Sequence, residues 1–278
     1  MDCRAMTDST LSAEALTYRA AYEDQLRTRI VPGAAGYRAV EQVGPIVRKT
    51  RLVGPGFIGY RDLGGLDGPA LDDFIAAQRD HFAALDQSVE WKHHGHDRPA
   101  DLPQRLAKAG FVPDERETVL VGPVEPLAAS DAALPEGVRL REVTSREDLE
   151  RIAAMEEAVW GEDHGWLPEA LERELAGPGD PCVVVAVEAP DGEVVCASWV
   201  RFHEGTDFAS LWGGSTLAPW RGRGIYRATV AHRARLAAAR GHRYLQVDAT
   251  DESRPILTRL GLVAVATTTP YIWRPGTA

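Results

Sequence analysis

The sequence predicts an α/β protein of the α+β kind, built as two related domains that each hold a mostly antiparallel sheet flanked by helices. Three observations carry that prediction. A proline-bearing stretch without periodicity divides the 278 residues, the second half orders its strand and helix signals as an antiparallel sheet requires, and a segment of the first half is echoed in the second. The division falls in VGPVEPLAASDAALPEG, Val121 to Gly137, so 1–125 and 138–278 are expected as domains and 126–137 as the linker between them.

In the first half a helix opens near Pro69, and SVEWKHH (88–94) reads as a strand. The following DLPQRLAKAGFVP (101–113) echoes ESRPILTRLGLVA (252–264), with Gly110 and Gly261 at the same point of each. In the second half, Val138 to Val143 is a short strand. Thr144, with Glu147 three residues on, forms a capping box that starts a helix carrying Leu149, Ile152, Ala153 and Val159 on one face. Pro168 begins another helix. The β-rich runs 182–189 and 193–202 are joined by a Pro-Asp-Gly hairpin signal, and a third strand covers Asp207 to Thr216. A helix from Ile225 to Arg240 is stopped by Gly241, a strand covers 244–248, a short helix follows Ser253, and β-prone residues run to Trp273. The expected order is β-α-α-β-β-β-α-β-α-β-β, ending on two strands.

Composition excludes several classes of function. A net charge of −10 argues against nucleic acid or an anionic membrane as partner, and 44% apolar residues supply ample core. MDCRAMTDSTLSAEAL has no apolar leader region, and no run approaches the roughly 18 apolar residues of a membrane span. A cytoplasmic, soluble chain is expected, as monomer or homodimer. Cys3, Cys182 and Cys196 are too irregularly spaced for a disulfide framework or a zinc site, and the latter two read as core. His93, His94 and His96 lack a further ligand at metal spacing, so a loop and no metal are expected there. Trp212, inside a strand, reads as core, while Trp160 and Trp166 fit either helix-end packing or an aromatic wall.

The chemistry is carried by STLAPWRGRGIY, residues 215–226, between a strand and a helix. A glycine-containing turn at a helix N-terminus presents unpaired N–H groups and the positive end of the helix dipole, which together hold an anion. Arg221, Arg223 and Arg227 add charge and bidentate donors suited to phosphate. The dinucleotide fingerprint GxGxxG fails here.

Arg221-Gly222-Arg223-Gly224-Ile225-Tyr226 resembles the pyrophosphate loop of the GNAT superfamily of acyl-CoA-dependent N-acyltransferases, Arg/Gln-x-x-Gly-x-Gly/Ala, and Tyr226 departs from its final small residue. The element order from Val138 to Trp273 is similar to that family's throughout. The resemblance implies a tandem GNAT arrangement, with a splayed sheet in each domain and a degenerate first domain, since GYRDLGGLDG ahead of its helix lacks the loop pattern. It implies acetyl-CoA as cosubstrate, with pantetheine along Gly214, Ser215 and Thr216. The backbone N–H groups of Gly222, Arg223, Gly224, Ile225, Tyr226 and Arg227 would surround the pyrophosphate. Asp251 stands where the family carries a pantetheine-binding Asn, with Ser253 close by.

An N-acetyltransferase acting by direct attack of a primary amine, on a small molecule or peptide, is the implied activity. The N–H near Thr216 serves as oxyanion donor, while Gln246, Ser210 and Leu257 replace the family's proton-transferring residues. Asp248, which shares a strand face with Gln246, is the nearest carboxylate to the vacant base position, with Asp163 or His164 as alternatives. Other readings are an acyl-CoA-binding regulatory protein without turnover, favoured by those replacements, and a tandem enzyme acylating the amine of a thiol sugar.

Overall fold

The computed structural model describes residues 11–30, 36–177 and 182–276. Helix α1 (Ala13–Gln25) starts where the Ser12 hydroxyl accepts the Ala15 N–H. Strands β1 (Tyr37–Val43), β2 (Ile46–Arg51) and β3 (Gly56–Tyr60) lead to helix α2 (Gly68–Ala83), whose first turn holds the expected proline. Strand β4 (Val89–His94), helix α3 (Leu102–Lys108), the short β5 (Val112–Pro113), β6 (Glu117–Pro123) and helix α4 (Val124–Ala128) complete the first half. The second half comprises β7 (Arg139–Val143), α5 (Arg146–Trp160), α6 (Leu167–Ala176), β8 (Cys182–Glu188), β9 (Val194–Phe202) and β10 (Phe208–Thr216). After a 3₁₀ turn at Ala218–Trp220 come α7 (Ile225–Ala239), β11 (Tyr244–Ala249), α8 (Arg254–Arg259) and β12 (Val263–Trp273).

Three expectations are corrected. The cap of α5 is Ser145, which accepts the Asp148 N–H at 3.2 Å, so the box is shifted one residue from Thr144. Of the three histidines expected in a loop, His93 and His94 end strand β4, in keeping with the strand reading of 88–94, and His96 lies in the turn beyond it. The chain closes on one eleven-residue strand, not two.

All strands join one sheet, in the order β1-β2-β3-β4-β12-β6-β11-β10-β9-β8-β7, with β5 beside β12. Among the described strands only β3–β4 and β10–β11 are parallel, each pair connected through a helix, α2 or α7, as parallel neighbours require. The echoed segments become α3 and α8, and Gly110 (φ +91°) and Gly261 (φ +101°) take the same left-handed turn after them.

The sheet is continuous because the halves exchange strands. β6, from before the expected linker, lies between β11 and β12, while β12 pairs with β6 through its first part and with β4 through its second. Tyr271 and Trp273 therefore complete the core around Trp91 and Phe111, and Leu120, Val124 and Leu127 complete the one beneath α7. Val119 and Val121 turn the other way, onto Tyr18 and Tyr22 of α1. The 126–137 segment begins inside α4, which packs against α7, and Arg235 donates to the Ala128 and Ser130 carbonyls.

Candidate active site

The two strands at the centre of the second half part company. β10 and β11 pair at Phe208↔Tyr244, Ala209↔Leu245 and Ser210↔Gln246, after which β10 runs on to Thr216 held by β9 alone. Its register shifts between Gly213 and Ser215, a bulge built from two left-handed glycines at φ +64° and +91°. No other residue fits. A Cβ would lie 2.6 Å from the Trp199 ring at Gly213 and 2.7 Å from Tyr226 Cε2 at Gly214. Arg233, 1% exposed, donates to the Trp199 and Trp212 carbonyls at 3.2 Å and to the Thr229 carbonyl at 3.1 Å, pinning the backbone beside the bulge. Burial pulls its pKa below the usual arginine value, against the opposing influence of Tyr226 and Cys196.

The parting leaves an open backbone edge. The Leu217 N–H bonds the Val195 carbonyl on β9, so by strand alternation the Thr216 backbone faces the other way, where its carbonyl accepts Arg221 Nε at 3.0 Å. Behind the edge the Ser215 hydroxyl donates to Glu156 Oε2 at 2.6 Å, and Trp160 Nε1 donates to both at 2.9 Å. Burial raises the Glu156 carboxyl above its ordinary range, although the hydrogen bonds from Ser215 and Trp160 pull the other way.

Below the edge sits the arginine-glycine loop. Gly222 and Gly224 both have positive φ, +75° and +83°, and Gly224 caps α7 without a side-chain acceptor, so the first-turn N–H groups from Ile225 onward point outward as free donors. Tyr226 is helical, and its ring fills the space under Gly214. Arg223 stacks its guanidinium 4.7 Å from the Trp220 ring centre.

A groove of about 920 Å³ joins edge and loop, lined by Gly214, Ser215, Thr216, the whole run from Arg221 to Arg227, and Ser253. Trp160, Thr250, Glu252 and Arg259 also line it. Asp251 does not. It is exposed and pairs with Arg254 at 3.0 Å.

A second cavity, of about 390 Å³, lies between the two halves, and Asp248 lines both spaces. Gln246 Nε2 donates to Asp248 Oδ1 at 2.9 Å, so the two share a face as alternation requires. Lys92 of β4 reaches Asp248 Oδ2 at 2.9 Å, Glu117 at 2.9 Å and Glu90 at 3.6 Å. Burial opposes the Lys92 charge, but Asp248, Glu90 and Glu117 outweigh it and hold the ammonium protonated. Burial pushes the Glu117 carboxyl up to about 6, with Lys92 opposing and Asp248 reinforcing the shift. Sequence reasoning did not single out Lys92 or Glu117. They come from the first half, and only the strand exchange brings them to β11.

The remaining candidates divide clearly. Leu257 is fully buried in the core, and the Ser210 hydroxyl is engaged with His203 and Trp212. Trp212 corrects the expectation of a core residue: 41% exposed, it lines the cavity beneath the Arg201 guanidinium. Trp166 is a cavity wall, against Gly54 of the first half. Asp163 and His164 line neither space. Burial raises the Cys182 and Cys196 thiols to about 12 and about 11, far from the reactive range. Among the described residues no group of His, Cys, Asp and Glu could hold a metal ion, and no helix is long and apolar enough to cross a membrane.

No protein-family model matches the chain, and no curated protein matches its sequence. Solved structures do match its shape. A GCN5-related N-acetyltransferase from Kribbella flavida superposes with a TM-score of 0.62 at 18% identity, over 94% of this chain and 96% of that one. A tandem GNAT protein from the clavulanic acid biosynthesis pathway gives 0.58 at 13% identity over 99% and 98%. A GCN5-related N-acetyltransferase from Sphaerobacter thermophilus gives 0.54 at 17% identity over 98% and 96%. The chain has the tandem GNAT fold.

Proposed function

We propose that this protein is an N-acetyltransferase that moves the acetyl group of acetyl-CoA to a primary amine within a ternary complex. One observation carries the reading: β10 and β11 part directly beside a helix N-terminus whose preceding loop holds two left-handed glycines. That arrangement offers an unpaired strand edge for the amide groups of a pantetheine arm and outward N–H groups for a pyrophosphate. Arg221, Arg223 and Arg227 supply positive charge in an otherwise acidic protein.

The thioester would sit where groove and cavity meet. The amine nitrogen attacks its carbonyl carbon, the Thr216 N–H steadies the developing oxyanion, and the carbon–sulfur bond breaks to release the thiolate. Asp248, oriented by Gln246 and Lys92, takes the proton lost by the amine. Water reprotonates the thiolate, which needs no acid from the protein.

In this reading residues 138–278 form the catalytic domain, 126–137 the connection, and 1–125 a degenerate domain that walls the acceptor cavity. The counterpart loop of the first half is unsuited to an anion, because Asp62 Oδ1 accepts the Gly64 N–H at 2.6 Å and Asp67 stands at the N-cap of α2. Calorimetric titration with acetyl-CoA should give one site per chain, and CoA release should follow on addition of a suitable amine. Two equivalent sites would overturn the degenerate first domain. Tight binding without release for any amine in a broad panel would favour the regulatory reading.

A further inference from the structure

The cavity between the halves holds a hydrogen-bonded pair that the transfer chemistry leaves unused. Tyr22 of α1 and His94 of β4 both line it, 6% and 3% exposed, with the Tyr22 hydroxyl 3.0 Å from His94 Nε2. Strand alternation sets Glu90, Lys92 and His94 on one face of β4, and all three line the cavity. His94 thus follows Lys92 along that face, with the two backbones roughly 7 Å apart. Lys92 reaches Asp248 at 2.9 Å. Of the charges acting on the Tyr22 hydroxyl Asp248 is the strongest, and it adds to the rise that burial imposes on the phenol pKa, so the hydroxyl keeps its proton.

The surroundings of His94 decide which partner donates. Its Nδ1 makes no hydrogen bond but lies 3.8 Å from Asp97 Oδ2, an oxygen that also accepts the His94 backbone N–H at 2.8 Å. That carboxylate, held in turn by Arg27 at 2.8 and 3.0 Å, would repel a lone pair on Nδ1. The ring proton therefore belongs on Nδ1, and Nε2 is the acceptor. Burial holds the His94 pKa well below the ordinary histidine value, and Arg27, Lys92, His96 and His93 push it the same way, so the ring is neutral. The Tyr22 hydroxyl consequently directs its proton at Nε2, and its oxygen keeps a lone pair that no other described residue engages. A free phenol can donate or accept. This one is set as an acceptor.

We propose that Tyr22, oriented by the positioning residue His94, binds the acceptor: its oxygen takes one N–H of the attacking amine while Asp248 takes the other. A neutral primary amine has two N–H groups and one lone pair, so both acceptors are filled and the lone pair is aimed at the thioester carbon. Asp248 removes its proton as attack proceeds, and no proton passes through Tyr22. A secondary amine would leave one of the two acceptors unpaired, which makes the pair a device for selecting primary amines. The identity of the bound group rests on the acetyl-transfer reading, whereas the orientation of Tyr22 rests on its contacts alone.

Nuclear magnetic resonance of the full-length protein, isotopically labelled at the histidine ring nitrogens, reads the pair without turnover. His94, assigned by the signal lost in His94→Gln, should carry its proton on Nδ1. Tyr22→Phe should shift the Nε2 resonance toward that of an unbonded acceptor. Propylamine, added with CoA present, should move that resonance in the native protein and not in Tyr22→Phe. In CoA release from acetyl-CoA, Tyr22→Phe should lower kcat/KM for propylamine by about 10-fold, and should cut the preference for propylamine over N-methylpropylamine to less than about 3-fold, with acetyl-CoA affinity unchanged. His94→Leu should reproduce that loss, whereas His94→Gln, which retains an acceptor, should recover most of it. A proton on Nε2, a resonance indifferent to propylamine, or a Tyr22→Phe loss that is absent or equal for the two amines overturns the proposal. A resonance that answers propylamine in a protein releasing no CoA overturns the transfer reading instead, and leaves Tyr22 as an amine-binding residue.

Discussion

Gly214→Ala tests whether the bulge that opens the groove depends on a glycine for two separable reasons. The new Cβ would lie 2.7 Å from Tyr226 Cε2, on a backbone held at φ +91°. The left-handed conformation costs an L-residue about 1–2 kcal/mol. The overlap, which can be relieved only by moving a ring packed under the bulge, adds about 1–3 kcal/mol. A loss of about 2–5 kcal/mol in unfolding free energy is expected, measured by urea denaturation. Tyr226→Ala removes the ring and leaves the backbone angle untouched. In a double-mutant cycle the pair should therefore lose less than the sum of the single losses, by about the 1–3 kcal/mol of the steric part. Acetyl-CoA affinity should fall in Gly214→Ala, because either response to the clash moves the edge or the first turn of α7. Additivity within about 0.5 kcal/mol would refute the claim that Gly214 makes room for Tyr226.

Gly224→Val should weaken acetyl-CoA binding more than Arg221→Ala does, by calorimetry. A side chain at Gly224 meets only an ordinary contact, 3.7 Å to the Ala133 carbonyl, so its cost is the φ of +83° at the helix cap, whereas Arg221 leaves the loop amides in place. Equal or reversed losses would count against the loop as the phosphate cradle. Asp248→Asn should lower the turnover number by roughly 10²–10⁴-fold with acetyl-CoA affinity unchanged, and near-normal turnover with an unchanged pH profile would remove Asp248 as the base. Glu117 should add a pH-dependent component to stability. Its folded-state pKa, about 6, lies above the ordinary 4.5, so the native state holds the proton more tightly and stability falls as pH rises through that window, by about 2 kcal/mol. Subtracting the Glu117→Gln curve from that of the native protein should isolate this fall, and a flat difference between pH 4.5 and 6 would contradict it.

The resemblance carried by the arginine-glycine loop led from sequence to fold, and the local signals around it held because each depends on short-range physics. The Pro-Asp-Gly hairpin, the helix ending before Gly241 and the glycines after α3 and α8 are fixed by backbone preferences that neighbours along the chain reveal. The shared face of Gln246 and Asp248 follows from strand alternation in the same way. Tyr226, the departure from the loop pattern, gained its meaning only in three dimensions, as the ring that fits beneath Gly214.

What the sequence could not supply was every feature that depends on which strand lies beside which. Residues 117–123 precede the expected linker, yet they pair with β11 and β12, because hydrogen-bonded neighbours in a sheet need not be neighbours in the chain. That exchange delivers Lys92 and Glu117 to Asp248 and turns a lone strand-end aspartate into one member of a buried charge cluster. It likewise sets Lys49 and Arg51 across from Arg201, more than a hundred residues away, and leaves Trp212 facing a cavity where strand periodicity placed it in a core. Local propensity determined the elements and the loop chemistry. The pairing of distant strands, decided by burial on both faces of one shared sheet, determined the cavity between the halves.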